Sequence, residues 1–248
     1  MQTGTLFLLP NTLGVAHPTA ALFDVIPVEV QKITATLGHF VAENAKTTRA
    51  YLKLIHANYP LARPLQEIQI SELNVNTKEQ ELPGLLTPLL EGHDIGLISE
   101  AGVPAVADPG ANLVRLAHQH GIQVRPLVGP SSLLLSVMAS GLNGQSFAFN
   151  GYLPTDPVLR GKRIAELEIR SRKERQTQLF IETPYRNGVL LEALCQACQP
   201  ATQLCVATDL TLGGESIQTK SVAEWSSLIA KRNAPDFNKK PTVFLFLA

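Results

Sequence analysis

The segment Ile98-Ser99-Glu100-Ala101-Gly102-Val103-Pro104-Ala105-Val106-Ala107-Asp108-Pro109-Gly110 decides the fold class of this chain. An apolar run ends at Ile98, and small residues, two prolines and two glycines fill a loop before a helix. Asp108-Pro109 marks the start of that helix, because an acidic cap and a first-turn proline favour helix initiation. Small residues at the carboxyl end of a parallel strand let a ligand approach the backbone. The segment therefore predicts a binding loop. A ligand-free connection, with Asp108 only as a helix cap, is the alternative.

Nine further apolar segments predict a repeated alternation of strands and helices. Strands without polar alternation are typical of sheets that are covered on both faces, and helices between them indicate mainly parallel sheets. The predicted strands are 5–9, 39–42, 68–73, 94–99 and 123–128, then 146–150, 178–182, 204–208, 215–220 and 242–247. Two glycines and an asparagine in residues 141–145 indicate a linker. We therefore expect two α/β domains, residues 1–143 and residues 144–248.

Composition excludes several classes of protein. The 248 residues are 45% hydrophobic and 17% charged, which excludes a mainly disordered chain. The apolar runs are too short for a membrane span, and the start of the chain carries no secretory signal, so we expect a cytoplasmic protein. Net charge is zero, but residues 160–175 hold seven basic and three acidic side chains. That window predicts one basic patch on a slightly acidic body.

Several common functional motifs are absent from the sequence. No two glycines are spaced as G-x-G, so the Rossmann fingerprint is excluded, and no phosphate-binding loop or G-x-S-x-G elbow occurs. Cys195 and Cys198 have only Cys205 as a further thiol and no histidine after His120. Four metal ligands do not assemble from this set, so we expect buried thiols and no metal.

Three more junctions between a strand and a helix carry polar chemistry. Val128-Gly129-Pro130-Ser131-Ser132 offers free N–H groups and hydroxyls at a helix start, with ordinary capping as the alternative. Phe180-Ile181-Glu182-Thr183-Pro184-Tyr185-Arg186 ends a strand, and an exposed Glu182–Arg186 ion pair is the alternative to a functional role. The third junction is Ala42-Glu43-Asn44-Ala45-Lys46-Thr47-Thr48-Arg49, where Glu43 follows a strand. Lys46 and Arg49 share one face of the next helix, and a solvated helix face would explain them as well as a functional role does.

In this order, the segments resemble the tetrapyrrole methylase superfamily, and within it the small-subunit ribosomal RNA 2′-O-ribose methyltransferases of type I. The family's S-D-A-G-x-P-x-x-x-D-P-G stands at 99–110, its P-G-P-S-A at 128–132 with S-G-L at 140–142, its F-x-G-F-L-P at 149–154 and its E-S-P-H-R at 182–186. The family's A-E-D-T-R is half kept as Ala42-Glu43-Asn44, and its opening T-P-I-G-N-L is replaced by Asn11-Thr12-Leu13-Gly14-Val15-Ala16.

The resemblance implies a class III methyltransferase-like enzyme, usually a homodimer, with S-adenosylmethionine in the cleft between two domains. The cofactor-binding residues that it implies are Gly102, Val103, Pro104, Val106, Ser131 and Ser132, with Ile181, Glu182, Thr183, Leu210, Pro241 and Thr242 from the second domain.

Methyl transfer to a ribose hydroxyl of ribosomal RNA assigns roles to the polar residues. Glu43 or Glu182 is the candidate catalytic base. Lys46, Arg49 and Arg186 are the candidate phosphate-binding residues. A small-molecule, tetrapyrrole-like methyltransferase and a non-catalytic regulator that binds S-adenosylmethionine are the alternatives.

Overall fold

The computed structural model describes residues 3–14 and 19–248 and confirms the α/β class. The strands are β1 (Thr5–Leu9), β2 (His39–Ala42), β3 (Gln69–Glu72), β4 (Ile95–Ile98), β5 (Gln123–Pro126), β6 (Phe147–Tyr152), β7 (Thr177–Ile181), β8 (Gln203–Thr208), β9 (Ser216–Ser221) and β10 (Thr242–Leu247). The helices are α1 (Thr19–Val25), α2 (Val28–Thr36), α3 (Ala45–Asn58), α4 (Leu82–Leu85), α5 (Thr87–Leu90), α6 (Gly110–Gln119), α7 (Ser132–Ser140), α8 (Pro157–Glu174), α9 (Asn187–Ala197) and α10 (Val222–Ala230). Each of the ten predicted strands overlaps one of the observed strands.

The first five strands form one parallel sheet in the order β3-β2-β4-β1-β5. Alternate residues of these strands enter two separate cores. Phe7 and Phe40 pack against α1, α2 and α3, whereas Leu6 and Leu97 pack against α4, α5 and α6. Helices on both faces explain why these strands lack polar alternation. Leu9 and Ala42 both align with Ile98, so β1, β2 and β4 end together at one edge.

The second sheet has the order β6-β7-β10-β8-β9 and differs from the expected mainly parallel pairing. Only β6 and β7 pair in parallel, and the other three pairings are antiparallel. The turn between β8 and β9 reverses the chain without a helical crossover, which makes that pair antiparallel. Because α10 then crosses over β8, β10 keeps the direction of β9 and enters between β7 and β8. Strands joined by a helix are thus parallel, as the sequence predicts. Only β6 and β7 are also neighbours, because β10 lies between β7 and β8, and β8 lies between β9 and β10.

The antiparallel direction of β10 gathers three chain segments at one edge of the second sheet. Val243 pairs with Ile181 at the end of β7, and Thr242 pairs with Thr208 at the end of β8. The residues that follow β7 and β8 therefore lie beside the residues that precede β10.

The chain divides by packing into two compact units, residues 1–131 and residues 132–248. Helix α7 belongs to the second unit, since its Val137 packs with Leu179 and Val243, and the Thr219 hydroxyl donates to the carbonyl of Ser140 at 2.6 Å. The boundary between residues 143 and 144 stays a prediction. No helix within residues 3–14 and 19–248 is long and apolar enough to span a bilayer.

Candidate active site

The loop after β4 is hydrogen-bonded to the turn after β1. The Asn11 N–H donates to the carbonyl of Gly102 at 2.8 Å, and the Gly102 N–H donates to Thr12 at 3.2 Å. The Asn11 side chain also donates to the carbonyl of Ser99 at 3.0 Å. Gly102 has a φ of +69°, and a Cβ there would lie 3.1 Å from a methyl of Leu13. Backbone geometry thus requires glycine, and the altered Asn11 segment supports the loop.

Asp108 holds the far end of this loop. Its Oδ1 accepts from the N–H groups of Ala105 at 3.0 Å and of Gly110, the first residue of α6, at 2.7 Å. Ala105 and Ala107 both have a φ of +64°, which residues other than glycine adopt rarely and β-branched or bulky residues most rarely. Burial raises the pKa of Asp108 although these N–H groups oppose it. The small residues therefore serve a contorted backbone, and Asp108 is the cap that the sequence offered as the alternative.

The expected cofactor residues of the first unit line this loop and the chain after β5. Gly102 lies close to Pro130, since its Cβ position is 3.3 Å from the Pro130 carbonyl oxygen, and this contact brings the two segments together. Among the remaining residues, Pro104 is buried, Val103 and Ser131 are half-buried, and Val106 is 46% exposed.

Glu43 follows β2 at the same edge of the first sheet. Its Oε1 accepts from the N–H of Glu100 at 3.0 Å. Burial raises the pKa of the Glu43 carboxyl, and the nearby charges of Asp108 and Glu100 raise it further, against the effect of that hydrogen bond. Sequence reasoning missed Glu100 and Asp108 as neighbours of Glu43. The signal was present, because both lie in the loop that follows β4, the strand next to β2.

Helix α3 begins directly after Glu43 and carries the two expected phosphate-binding residues. Asn44, where the family has an acid, caps this helix by accepting from the N–H of Lys46 at 2.9 Å. Lys46 and Arg49 are both exposed, three residues apart on the helix.

Glu182 and Arg186 form an ion pair in the second unit. Oε1 of Glu182 accepts from Nη2 of Arg186 at 2.5 Å, from its Nε at 3.1 Å and from the N–H of Thr183 at 2.7 Å. The Glu182 side chain is only 2% exposed and that of Arg186 is 35% exposed. The expectation of an exposed pair is wrong, because the carboxylate turns back under the 3-10 turn Pro184–Arg186.

The other expected residues of the second unit lie at the same sheet edge. Ile181 ends β7, and Thr242 begins β10 with its hydroxyl 3.2 Å from that of Thr208. Ile181 is half-buried, Leu210 and Thr242 are buried, and Thr183 and Pro241 are exposed; Ser132, in the same unit, is half-buried where it begins α7.

Sequence reasoning missed Asn187, which is fully buried beside this edge. Its side-chain nitrogen donates to the carbonyls of Phe237 at 3.0 Å and Lys240 at 2.8 Å, and to the Thr242 hydroxyl at 3.1 Å. No motif marks this residue, because its partners are more than 49 residues away in the chain.

The basic window of residues 160–175 forms most of α8 and keeps its net positive charge at the surface, since the buried Arg160 is balanced by the buried Glu168. Arg160 is buried, and Arg163 and Arg170 pair with Glu166 and Glu174. Because α8 ends just before β7 begins, residues 170–175 lie at the amino end of β7, opposite the edge that carries Ile181.

No group of three or more potential metal ligands occurs in the described parts of the chain. Cys198 and Cys205 are buried and Cys195 is half-buried. Burial raises the pKa of all three thiols, and that of Cys198 rises to about 12.

Known proteins similar to this chain were found by sequence and by structure. No family model matches it. The ribosomal RNA small subunit methyltransferase I of Xylella fastidiosa is 31% identical over 239 residues, which is 96% of this chain and 81% of that protein. The protein of the same name from Thermotoga maritima is 33% identical over 172 residues, which is 69% of this chain and 71% of that protein. This chain belongs to the ribosomal RNA small subunit methyltransferase I family. The resemblance to that family and the methyltransferase class are confirmed.

The fold of this methyltransferase I family member is shared with solved structures of low sequence identity. The crystal structure of the methyltransferase CobJ superposes with a TM-score of 0.62 at 17% identity, covering 99% of this chain and 94% of CobJ. The cobalamin biosynthetic enzyme cobalt precorrin-4 methyltransferase gives a TM-score of 0.58 at 14% identity, and the superposition covers 98% of this chain and 94% of that enzyme's chain. These structures confirm the tetrapyrrole methylase fold.

Proposed function

We propose that this protein transfers a methyl group from S-adenosylmethionine to a ribose 2′-hydroxyl of small-subunit ribosomal RNA. The observation that carries the proposal is the 31% identity to a ribosomal RNA small subunit methyltransferase I over 96% of the chain. S-adenosylmethionine supplies an activated methyl group together with its own leaving group, so the protein's task is mainly positioning.

The residues after β4 fit such a cofactor. Gly102, Ala105 and Ala107 hold positive φ angles without bulky side chains, which leaves room for a ligand to approach the backbone closely. Val106, 46% exposed, adds apolar surface suited to an adenine ring. We propose that this loop and Ser131 bind the cofactor in the first unit, and that Ser132, Ile181, Thr183, Leu210, Pro241 and Thr242 bind it in the second.

Glu43 is the better supported of the two candidate bases. Its Oε1 is held by Glu100, which leaves Oε2 as the oxygen to accept a proton from a hydroxyl. A raised pKa strengthens a carboxylate as a base. Glu182 already accepts three hydrogen bonds, so its proposed contribution is to position the Arg186 guanidinium for a phosphate. Lys46 and Arg49 supply further positive charge on α3.

Two finer features accompany this proposal. We propose a homodimer, supported by Leu134 and Met138, which are 54% and 78% exposed one turn apart on α7. We also propose a cytoplasmic location, because ribosomal RNA is found there.

The test is methyl transfer from radiolabelled S-adenosylmethionine to purified small ribosomal subunits. After alkaline hydrolysis of the RNA, the label is expected in dinucleotides, since a 2′-O-methyl group blocks cleavage of the adjacent phosphodiester bond. Glu43→Gln is expected to lower the rate while cofactor binding, measured by calorimetry, is retained. If label appears only in a small molecule supplied by added cell extract, and not in RNA, the tetrapyrrole-like methyltransferase is the correct alternative. Cofactor binding without transfer to any acceptor would favour the regulator.

A further inference from the structure

A groove of about 440 Å³ opens beside the 3-10 turn that follows β7. Phe237, 7% exposed, forms its floor and packs edge-on against the fully buried Trp225 at 6.3 Å between ring centroids. Tyr185, 75% exposed, stands at its rim. Val189 and Pro235 add apolar walls. We call this feature the Tyr185 groove. It combines a wide aromatic face that is open to solvent with a firm apolar floor.

The Tyr185 groove is held in place by hydrogen bonds. Asn187, which is fully buried, donates to the carbonyls of Phe237 at 3.0 Å and Lys240 at 2.8 Å. The Lys239 N–H donates to the carbonyl of Pro184 at 3.2 Å, which fixes the loop beside the turn that bears Tyr185. Both walls of the groove are therefore tied together before any ligand arrives.

The Tyr185 groove carries exposed charges of both signs. Lys231, Arg232 and Lys239 are exposed, and none forms an ion pair with another described residue. Arg232, Glu192 and Asp236 line the groove, and Lys239 follows the lining residue Asn238 in the chain. Exposed cations favour phosphates, whereas the carboxylates accept hydrogen bonds from the amino groups of bases and repel phosphate.

We propose that the Tyr185 groove binds an unpaired nucleobase of the RNA substrate, stacked on Tyr185, with a flanking phosphate on Lys239. The inference deepens the proposed function and rests on it. Stacking on an exposed aromatic side chain is the usual way in which proteins hold single-stranded RNA. Tyr185 lies three residues beyond Glu182, so the stacked base neighbours the sheet edge that carries the proposed cofactor residues Ile181 and Thr242 and the proposed phosphate-binding residue Arg186. The proposal also supplies the RNA contact that α8 does not provide at this edge.

The first test measures binding of a fluorescein-labelled single-stranded ten-nucleotide oligoadenylate to the full chain. Tyr185→Ala is expected to weaken binding about tenfold, which corresponds to about 1.4 kcal/mol, because the stacking surface is lost. Tyr185→Phe keeps the ring and is expected to bind within about twofold of the wild type. Tyr152→Ala is the matched control, since Tyr152 is 57% exposed in the same unit and does not line the groove. Melting temperatures verify that each variant folds.

The second test separates stacking from charge. Lys239→Gln is expected to lower the slope of log affinity against log salt by about 0.7, the loss of one phosphate contact. Lys173→Gln, an exposed lysine at the end of α8, is expected to leave that slope unchanged. A duplex of equal length is expected to bind about tenfold more weakly, because its bases are already paired.

The outcomes distinguish the groove from the proposed function. Inorganic polyphosphate that competes as well as the oligoadenylate, binding insensitive to Tyr185→Ala, or a proline-rich peptide that displaces the oligoadenylate stoichiometrically would each overturn the inference. On ribosomal RNA, Tyr185→Ala is expected to raise KM about tenfold with kcat within about twofold. RNA methylation with an unchanged KM refutes the groove and leaves the proposed function standing. Tyr185-dependent oligoadenylate binding without any RNA methylation refutes the proposed function and leaves the groove.

Discussion

Replacing Glu182 by glutamine tests whether its carboxylate is a buried anchor for Arg186. The amide keeps one oxygen acceptor and nearly the same volume, but it removes the negative charge. Oε1 of Glu182 accepts two bonds from the guanidinium, at 2.5 and 3.1 Å, with its side chain 2% exposed. Hydrogen bonds between charged groups contribute about 1.5–3 kcal/mol each, whereas Arg186 is 35% exposed and regains hydration when released. We therefore expect a net loss of about 2 kcal/mol.

The chain contains a matched control for this substitution. Arg170 and Glu174 also lie four residues apart, and the arginine Nε is again 3.1 Å from a carboxylate oxygen, but their side chains are 50% and 44% exposed. An exposed pair contributes only about 0–1 kcal/mol. Glu174→Gln is therefore expected to change stability by less than about 0.5 kcal/mol.

Thermal and urea unfolding followed by circular dichroism measure the difference. For a chain of 248 residues, about 2 kcal/mol corresponds to a fall in Tm of about 4–8 °C. A double-mutant cycle with Arg186→Gln is expected to return a coupling of about 1–2 kcal/mol. If Glu182→Gln melts as the wild type does, the two side chains are not paired in solution. Glu182 would then be free to act as the proton acceptor that the sequence suggests.

Three further predictions follow from the first unit and the thiols. Gly102→Ala is expected to destabilise the protein in urea by about 1 kcal/mol more than Gly121→Ala, because both have a positive φ but only Gly102 has neighbours within 4 Å of its Cβ position. Burial raises the pKa of Glu43, so its contribution to stability is present at low pH and lost as the pH rises through that pKa. The Tm of Glu43→Gln relative to wild type is expected to rise as the pH is raised above the ordinary glutamate pKa of about 4. A constant difference would show that Glu43 titrates normally. Cys198, with a pKa of about 12, is expected to resist iodoacetamide at pH 8 until the protein unfolds, as read by mass spectrometry.

The strands were predictable from the sequence because each is a short apolar run bounded by turn residues. The order of the strands in the second sheet was not predictable from the sequence. Nothing in the letters of 242–247 states that β10 enters between β7 and β8, since that placement depends on packing against α8 and α7. The direction of each helical crossover was predictable, and the neighbours were decided by tertiary contacts.

The candidate site was predictable where the chemistry lies in one continuous segment. The loop of 99–110 shows its small residues and its cap directly, because glycine and alanine at positive φ leave a recognisable composition. The environment of each acid was not predictable. Glu43 and Asp108 meet only through the alignment of β2 with β4, and the burial of Glu182 depends on how the following turn folds over it. Asn187 was missed because its partners are distant in sequence.

The central position of β10 has a consequence for biosynthesis. The second sheet joins β6-β7 to β8-β9 only through this strand, which is the last of the ten in chain order. During translation, β7 and β8 therefore remain open edges until residue 247 has left the ribosome, while the first sheet already has all its strands by residue 126. Open edges invite pairing with other chains. The first unit is thus expected to fold on the nascent chain, and the second to fold after it in a single late event whose timing sets the exposure to aggregation.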